Sequence, residues 1–201
     1  MHKLSFDKNK YSDLWTLFVN GEDDAFAEIY KSSYRMLYSY GLSFKIPEEQ
    51  VRDLIQDLFF KLYSDPGLVK DAGTLRPFLF TAIRNSCINF MKSSQRHTNL
   101  EHSDEFDLNF SVNENVIEDR EEQERISSFI KKILASLTVR QREIIYLRFL
   151  HQMEYEEISG IMDMTEQAAR NLVHRAMGKI RKDHSAYDYC LFLILLVNYC
   201  K

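Results

Sequence analysis

The chain has 201 residues, of which 45% are hydrophobic and 28% are charged, and it contains few glycines and prolines. This composition excludes a disordered chain and is typical of a soluble, largely helical protein with one domain or two small ones. Its three cysteines are odd in number and widely separated, which indicates neither a disulfide framework nor a zinc site and favours a reducing cytoplasm. Residues 1–15 lack an apolar stretch behind a basic patch, so no secretory signal is predicted.

Three helices are predicted in the first hundred residues from the spacing of their apolar side chains. The first covers residues 24–40, the second begins at Pro47, which suits a first helical position, and the third covers residues 75–91. The Ser-Asp-Pro-Gly sequence of residues 64–67 breaks the chain between the second and third helices. The second helix has the most regular apolar face, formed by Val51, Leu54, Ile55, Leu58, Phe59 and Leu62.

Charge is strongly segregated along the chain. The net charge is −4, but the segment 97–124 contains ten acidic residues and one arginine, so that it carries −9 and the remainder +5. This segment contains several Asn and Ser residues and has little apolar periodicity, which predicts an extended acidic linker between two helical units. The predicted domains are therefore residues 1–96 and 125–184, and an apolar tail, residues 185–201, follows them.

The unit after the linker is predicted to contain four helices. Apolar side chains within residues 126–137 indicate the first, and a capping box formed by Thr138 and Gln141 begins the second. Residues 155–182 contain two short amphipathic segments separated by a tight break, which is the pattern of a helix-turn-helix. Thr165 is the predicted N-cap of its second helix, and the buried face of that helix is formed by Ala169, Leu172, Ala176 and Ile180.

The other face of this second helix carries side chains that suit DNA. Their donors can reach phosphates and the guanine and adenine edges that face a major groove. They are Arg170, Asn171, His174, Arg175, Lys179, Arg181 and Lys182. The alternative interpretation is a cationic helix that is merely solvated.

Two sets of motifs lie on either side of the acidic segment. The first contains DDAFAEIYKSSYRMLYSY, VRDLIQDLFFKLY and LRPFLFTAIRNSCINFMKS, and the second contains LTVRQREIIYLRFLHQMEYEEISGIM with the helix after it. Within the first set, Asp53, Leu54, Gln56 and Phe59 form an Asp-Leu-x-Gln-x-x-Phe pattern. With these motifs the chain resembles the extracytoplasmic-function group of sigma-70 factors, which are small two-domain bacterial initiation factors, over nearly all of residues 22–182.

The resemblance implies an all-α protein with a region 2 bundle and a region 4 helix-turn-helix, whose partners are core RNA polymerase and promoter DNA. In this family region 2 binds the clamp helices of the polymerase β′ subunit, which implies that role here for Asp53, Gln56, Asp57, Phe60 and Lys61. Region 2 also holds the minus-10 element as a single strand, which implies DNA contacts by Arg76, Arg84, Asn85, Asn89, Lys92 and Arg96. Region 4 meets the β flap and reads the minus-35 element, which implies DNA contacts by Arg170, Asn171, His174, Arg175 and Lys179.

The apolar tail lies outside this resemblance. Its uninterrupted apolar run, residues 191–197, is too short to span a bilayer, so that no membrane insertion is expected. One interpretation is a final helix that packs on the C-terminal unit. The other is a docking surface for an anti-sigma factor or a recruiting protein.

No enzymatic site is predicted. The chain has no Gly-rich phosphate loop, no metal-ligand spacing and no nucleophile motif, so that no catalytic residue, cofactor or metal is expected. The alternative function is that of a helix-turn-helix regulator, similar to a response regulator, which binds DNA as a homodimer without being a polymerase subunit. That alternative would account for the second set of motifs only.

Overall fold

A computed structural model gives the fold and describes residues 8–98, 106 and 120–199, with side chains for 10–94, 106, 121, 122 and 124–195. Across these ranges the regular structure is helical, without a strand, which confirms the predicted all-α class. The helices form two compact units. One contains the helices before residue 99, and the other contains Phe106 and the helices from residue 120 onward.

The N-terminal unit contains four α-helices between residues 8 and 98, the part of it that the structure describes. They are α1 (Lys8–Val19), α2 (Asp23–Leu42), α3 (Glu48–Ser64) and α4 (Leu75–Thr98), and two short 3-10 turns, Pro66–Leu68 and Ala72–Thr74, connect α3 to α4. The three predicted helices are α2 to α4, and the predicted break is present where α3 ends. There the side chain of Asp65 accepts a hydrogen bond from the backbone N–H of Gly67, at 3.1 Å.

Two details of this unit differ from the sequence predictions. Pro47 is the N-cap residue of α3 and not its first helical residue, because its ψ of 141° is extended. The predictions also omit α1, although Tyr11, Trp15 and Phe18 have helical spacing and are buried. Helix α1 packs against α2, α4 and the second 3-10 turn, and so completes the bundle core.

The C-terminal unit contains five α-helices within the described residues. They are α5 (Arg120–Leu134), α6 (Val139–Ile145), α7 (Tyr155–Met162), α8 (Glu166–Asp183) and α9 (Ala186–Tyr199), and a π-helical turn, Tyr146–Leu150, continues α6. The predicted capping box at the start of α6 is present. The Thr138 hydroxyl accepts from the backbone N–H of Gln141 at 3.4 Å, and the Gln141 side chain accepts from the backbone N–H of Thr138 at 3.0 Å.

The acidic segment is helical at both of its ends. Helix α4 continues to Thr98, and α5 begins at Arg120, within the range predicted as an extended linker. The acidic residues Glu121 and Glu122 lie in the first turn of α5, where negative charge complements the helix dipole. Between these helices only Phe106 is described; it is 1% exposed and contacts the ring of Tyr146 edge-on, with 5.9 Å between ring centroids.

Within the apolar tail, α9 covers Ala186–Tyr199, a helix of the kind that the first of the two interpretations predicts. Helix α9 packs against α8 and the π-helical turn, and the ring of Phe192 is completely buried. Other side chains of α9 face solvent, since Tyr187 is 75% exposed and Ile194 is 55% exposed. In the described part of the chain, no helix combines the length and the apolar character needed to cross a membrane.

Candidate promoter and polymerase interfaces

Helices α7 and α8 form a helix-turn-helix in which the turn consists of residues 163–165. Asp163 adopts the left-handed conformation, with φ of 50° and ψ of 64°, which Asp tolerates better than most residues do. Its backbone N–H donates to the carbonyl of Ser159 and closes α7. The hydroxyl of Thr165 then accepts from the N–H of Ala168 at 3.2 Å, so the predicted N-cap of α8 is confirmed.

The two helices are fixed to each other by an apolar interface. Ile158, Ile161 and Met162 are buried on α7, and the buried residues of α8 are Ala169, Val173, Ala176 and Ile180. Leu172, which was predicted to be buried, is only half-buried, and Val173 takes that position in the core. Arg140 of α6 donates to the carbonyl of Met162 at 3.2 Å and so ties the C-terminal end of α7 to α6.

The five residues predicted to contact the minus-35 element are all exposed on α8: Arg170, Asn171, His174, Arg175 and Lys179. Two of them contact residues one turn earlier. A guanidinium nitrogen of Arg170 lies 3.2 Å from the carboxylate of Glu166, and the side chain of Gln167 donates to Asn171 at 3.1 Å. Gln167, which is not among the residues predicted to contact DNA, is exposed in the first turn of α8. Its amide could have been found from its position one helical turn before Asn171.

A tyrosine at the start of α7 contacts two arginines. The guanidinium of Arg148 lies over the ring of Tyr155, 4.8 Å from its centroid, and that of Arg170 lies over the same ring at 4.5 Å. Arg148 is itself fixed, because it donates to the carbonyl of Met153 at 2.6 Å and lies 3.3 Å from the carboxylate of Glu154. Tyr155 therefore joins the turn before α7 to the N-terminal part of α8.

The candidate polymerase-binding residues form one stripe along α3. Asp53, Gln56, Asp57, Phe60 and Lys61 are all exposed, and their spacing places them on the same helical face. Phe60 is the unusual member, since its side chain is 72% exposed while that of Phe59 is 4% exposed. An exposed aromatic side chain among polar and charged neighbours is typical of the centre of a protein interface.

The candidate minus-10 residues lie on α4. Asn85, Asn89 and Lys92 are exposed at helical spacing, and Arg84 is half-buried beside them. This exposed stripe offers amide groups and one ammonium group, which can donate hydrogen bonds to bases and phosphates. Arg96 lies near the end of α4, where the structure describes the backbone but not the side chain.

The remaining minus-10 candidate, Arg76, lies elsewhere. Its side chain is only 8% exposed, because it is packed in the core beside α1. Burial raises the pKa of Tyr11, and a side-chain hydrogen bond with Ser32 and the positive charge of Arg76 act in the opposite direction. The burial of Arg76 does not suit a contact with the DNA backbone.

The cysteine in this unit has no nucleophilic character. Cys87 is buried in α4, and desolvation raises the pKa of its thiol from 9.0 to about 12. The thiol therefore stays protonated at neutral pH. In the part of the chain described, no three His, Cys, Asp or Glu residues are grouped so as to hold a metal ion.

Comparisons with known families match both units. The model of sigma-70 region 2 matches residues 29–97, which include α3 and almost all of α4, and the model of sigma-70 region 4 matches residues 130–180, which include the helix-turn-helix. The match to region 2 does not favour the alternative of a regulator that acts outside the polymerase, because that alternative accounts for region 4 alone.

Individual proteins are similar to this chain over most of its length. The ECF RNA polymerase sigma factor SigM of Bacillus subtilis (strain 168) is 25% identical over 154 residues, which cover 77% of this chain and 91% of SigM. The RNA polymerase sigma factor YlaC of the same strain is 21% identical over 169 residues, 80% of this chain and 92% of YlaC. The solved structure of CnrH, in complex with the cytosolic domain of CnrY, has the same fold with a TM-score of 0.56 and 21% identity, over 85% of this chain and 94% of CnrH.

Region 2 and region 4 thus occur in one chain, with region 2 first. The chain belongs to the extracytoplasmic-function group of the sigma-70 family, the transcription initiation factors that direct RNA polymerase to promoters.

Proposed function

We propose that this chain reads the minus-35 element by placing α8 in the major groove. The exposed face of α8 supports this proposal, because guanidinium, amide and imidazole groups project from it where the helix-turn-helix leaves it uncovered. Arg170, Asn171, His174 and Arg175 are the base-edge candidates. Lys179, further along the helix, suits a phosphate contact that positions the protein.

The second DNA surface in the proposal is the exposed stripe of α4, which holds the minus-10 element as a single strand. Asn85 and Asn89 can donate to and accept from bases, and Lys92 can follow the backbone. Arg84 and Arg96 complete the proposed set, whereas Arg76 does not belong to it because its side chain is buried.

Core RNA polymerase is the proposed partner of α3. The stripe of five exposed residues on α3 would contact the clamp helices of the β′ subunit, with Phe60 at the centre of the contact. Region 4 would meet the β flap, and the acidic segment would run toward the active centre, where its charge resembles that of a nucleic acid. Because the polymerase works in the cytoplasm, we place the protein there.

A further proposed partner is an anti-sigma factor or a recruiting protein that contacts the tail. The exposed side chains of Tyr187 and Ile194 on α9 support such a contact. The solved complex of CnrH with a cytosolic protein domain also supports the general idea that a chain of this fold is held by a protein partner.

The observation that carries the proposal is the exposure of three separate partner faces, on α3, α4 and α8, in a chain that contains both sigma regions. Its test is run-off transcription with purified core polymerase and a library of candidate promoters, with and without the protein. Transcripts that depend on both the core enzyme and this chain are expected. DNA binding without polymerase association would contradict the proposal and support a conventional regulator.

Two matched arginine variants localise the DNA surface in the same assay. Arg175→Ala removes an exposed guanidinium from α8, so that we expect weaker transcription from promoters that depend on the minus-35 element. Arg125→Ala removes a guanidinium from α5, where the side chain is 74% exposed, and should leave transcription unchanged. Equal loss in both variants would indicate a general effect of net charge and would contradict base reading by α8.

A further inference from the structure

We infer that Tyr155 is a positioning residue for DNA recognition, which holds the guanidinium of Arg170 in the orientation that reads the minus-35 element. This inference rests on the proposed function of α8. Tyr155 itself lies at the first position of α7, and its ring is only partly exposed. Its role would be to act through Arg170.

The geometry around Arg170 restricts its side chain from two directions. The Tyr155 ring lies under the guanidinium, with 4.5 Å from Cζ to the ring centroid, and the Glu166 carboxylate lies 3.2 Å from a terminal nitrogen. A free arginine side chain loses conformational entropy when it binds a base edge. A guanidinium that is already held flat on a ring loses less, and its planar fork keeps its hydrogen-bond donors directed.

The ring is itself held in place by contacts that do not involve α8. Arg148 lies over it at 4.8 Å, and Arg148 is bound to the carbonyl of Met153 and the carboxylate of Glu154. Because these groups precede α7, the orientation of Arg170 depends on the turn between the π-helical segment and α7. Glu166 alone would provide only an exposed i,i+4 ion pair, which restricts an arginine weakly.

Two substitutions distinguish the role of the Tyr155 ring from the role of its hydroxyl. Tyr155→Leu removes the aromatic face and should weaken promoter-specific transcription about two- to fivefold, the factor expected for an exposed cation–π contact. Tyr155→Phe keeps the ring and should restore near wild-type transcription. As a control, Leu68→Ala truncates an apolar side chain that is 46% exposed in the 3-10 turn after α3 and should change nothing in this assay.

The decisive readout is the base preference within a randomised minus-35 element, measured by run-off transcription with reconstituted holoenzyme. Arg170→Ala identifies the positions that Arg170 reads. Tyr155→Leu should weaken preference at those same positions, and the double variant should behave as Arg170→Ala does alone. Independent, multiplicative effects of the two substitutions would overturn the inference, as would a wild-type preference in Tyr155→Leu.

Incorporation of pentafluorophenylalanine at position 155 covers the case in which Tyr155→Leu unfolds. This side chain keeps the shape of the ring but removes its negative face, so it should reproduce the loss of preference without a change in melting temperature. Unchanged preference with this residue would also overturn the inference. Failure of the proposed function gives a different result, since the wild-type holoenzyme would then produce no promoter-specific transcript at all.

Discussion

Gly41 of α2 lies directly against Val51 of α3, where the two helices approach each other. A Cβ atom at position 41 would lie 2.6 Å from Cγ1 of Val51, closer than any real contact, and Val51 is completely buried. We therefore expect Gly41→Ala to lower the free energy of unfolding of the N-terminal unit by about 1–3 kcal/mol, because the helices must move apart. Urea denaturation followed by circular dichroism measures this change.

Gly160 provides the matched control for that substitution. It lies within α7 and is exposed, and nothing lies within 4 Å of a Cβ atom at its position. Gly160→Ala should therefore stabilise the protein by roughly 0.5–1 kcal/mol, through the helix propensity of alanine. Stabilisation by both substitutions would show that α2 and α3 are not closely packed at Gly41.

Phe60→Ala should weaken binding to core polymerase about tenfold or more, because an exposed aromatic side chain at an interface centre contributes strongly to affinity. Its thermal stability should remain close to that of the wild type, since the ring is 72% exposed in the free protein. Binding is measured by titration of labelled chain with core enzyme.

Two further substitutions serve as controls for the Phe60→Ala prediction. Phe59→Ala removes a buried ring and should cost about 3–5 kcal/mol of stability. Leu68→Ala truncates an exposed apolar side chain outside the α3 stripe and should alter neither stability nor binding. Unchanged affinity in Phe60→Ala would remove this residue from the proposed polymerase surface.

Much of the fold was predictable because the apolar side chains of α2, α3 and α4 recur with helical period. The helix-turn-helix was predictable too, since a capping residue, Thr165, and an Asp suited to a left-handed turn mark its break. The helical structure at the two ends of the acidic segment was not predictable. The acidic residues that indicate an extended chain by composition also favour the first turn of a helix, and the second effect dominates at Arg120.

The environment of two functional candidates depends on contacts between elements, which periodicity does not contain. Arg76 resembles a solvated arginine in the sequence, but it is buried in the structure, where its charge acts on Tyr11 of α1. Tyr155 fits the apolar pattern of α7, yet its ring contacts Arg170 across the turn. The turn that begins at Asp163 separates these two residues along the chain.

Asp163 can be tested through its backbone conformation. Because φ is 50°, Asp163→Val should destabilise the C-terminal unit by about 1–2 kcal/mol, whereas Asp163→Gly should retain its stability. Glu156→Val places the same side chain in a right-handed part of α7 and should cost less than about 0.7 kcal/mol. Thermal melting of the three variants measures the differences, and an equal loss for both valines would argue against a left-handed turn.

Cys87 should make the protein less stable at alkaline pH. Below about pH 9 its thiol is protonated in both states, but as the pH rises from 9.0 toward about 12 the unfolded chain loses the proton while the folded chain keeps it. The free energy of unfolding should then fall by up to about 1.4 kcal/mol per pH unit through this group. Urea titrations at several pH values should show a shallower decline in Cys87→Ala.

Thiol labelling checks the same burial directly. At pH 8 the exposed Cys190 should react with iodoacetamide in the folded protein, whereas Cys87 should react only after denaturation. Mass spectrometry of the labelled peptides distinguishes the two sites. Rapid labelling of Cys87 in the folded protein would show that α4 opens readily.

The role of the tail can be resolved by two substitutions on α9. Phe192 is completely buried, so Phe192→Ala should lower the stability of the C-terminal unit by about 3–5 kcal/mol. Ile194 is 55% exposed, and Ile194→Ser should leave the melting temperature unchanged because surface substitutions have small effects.

The outcomes for these two variants distinguish packing from docking. If Ile194→Ser abolishes binding to a protein partner while the unit stays folded, α9 has both functions, with one face for packing and the other for docking. If Phe192→Ala leaves stability unchanged, α9 does not belong to the core of this unit.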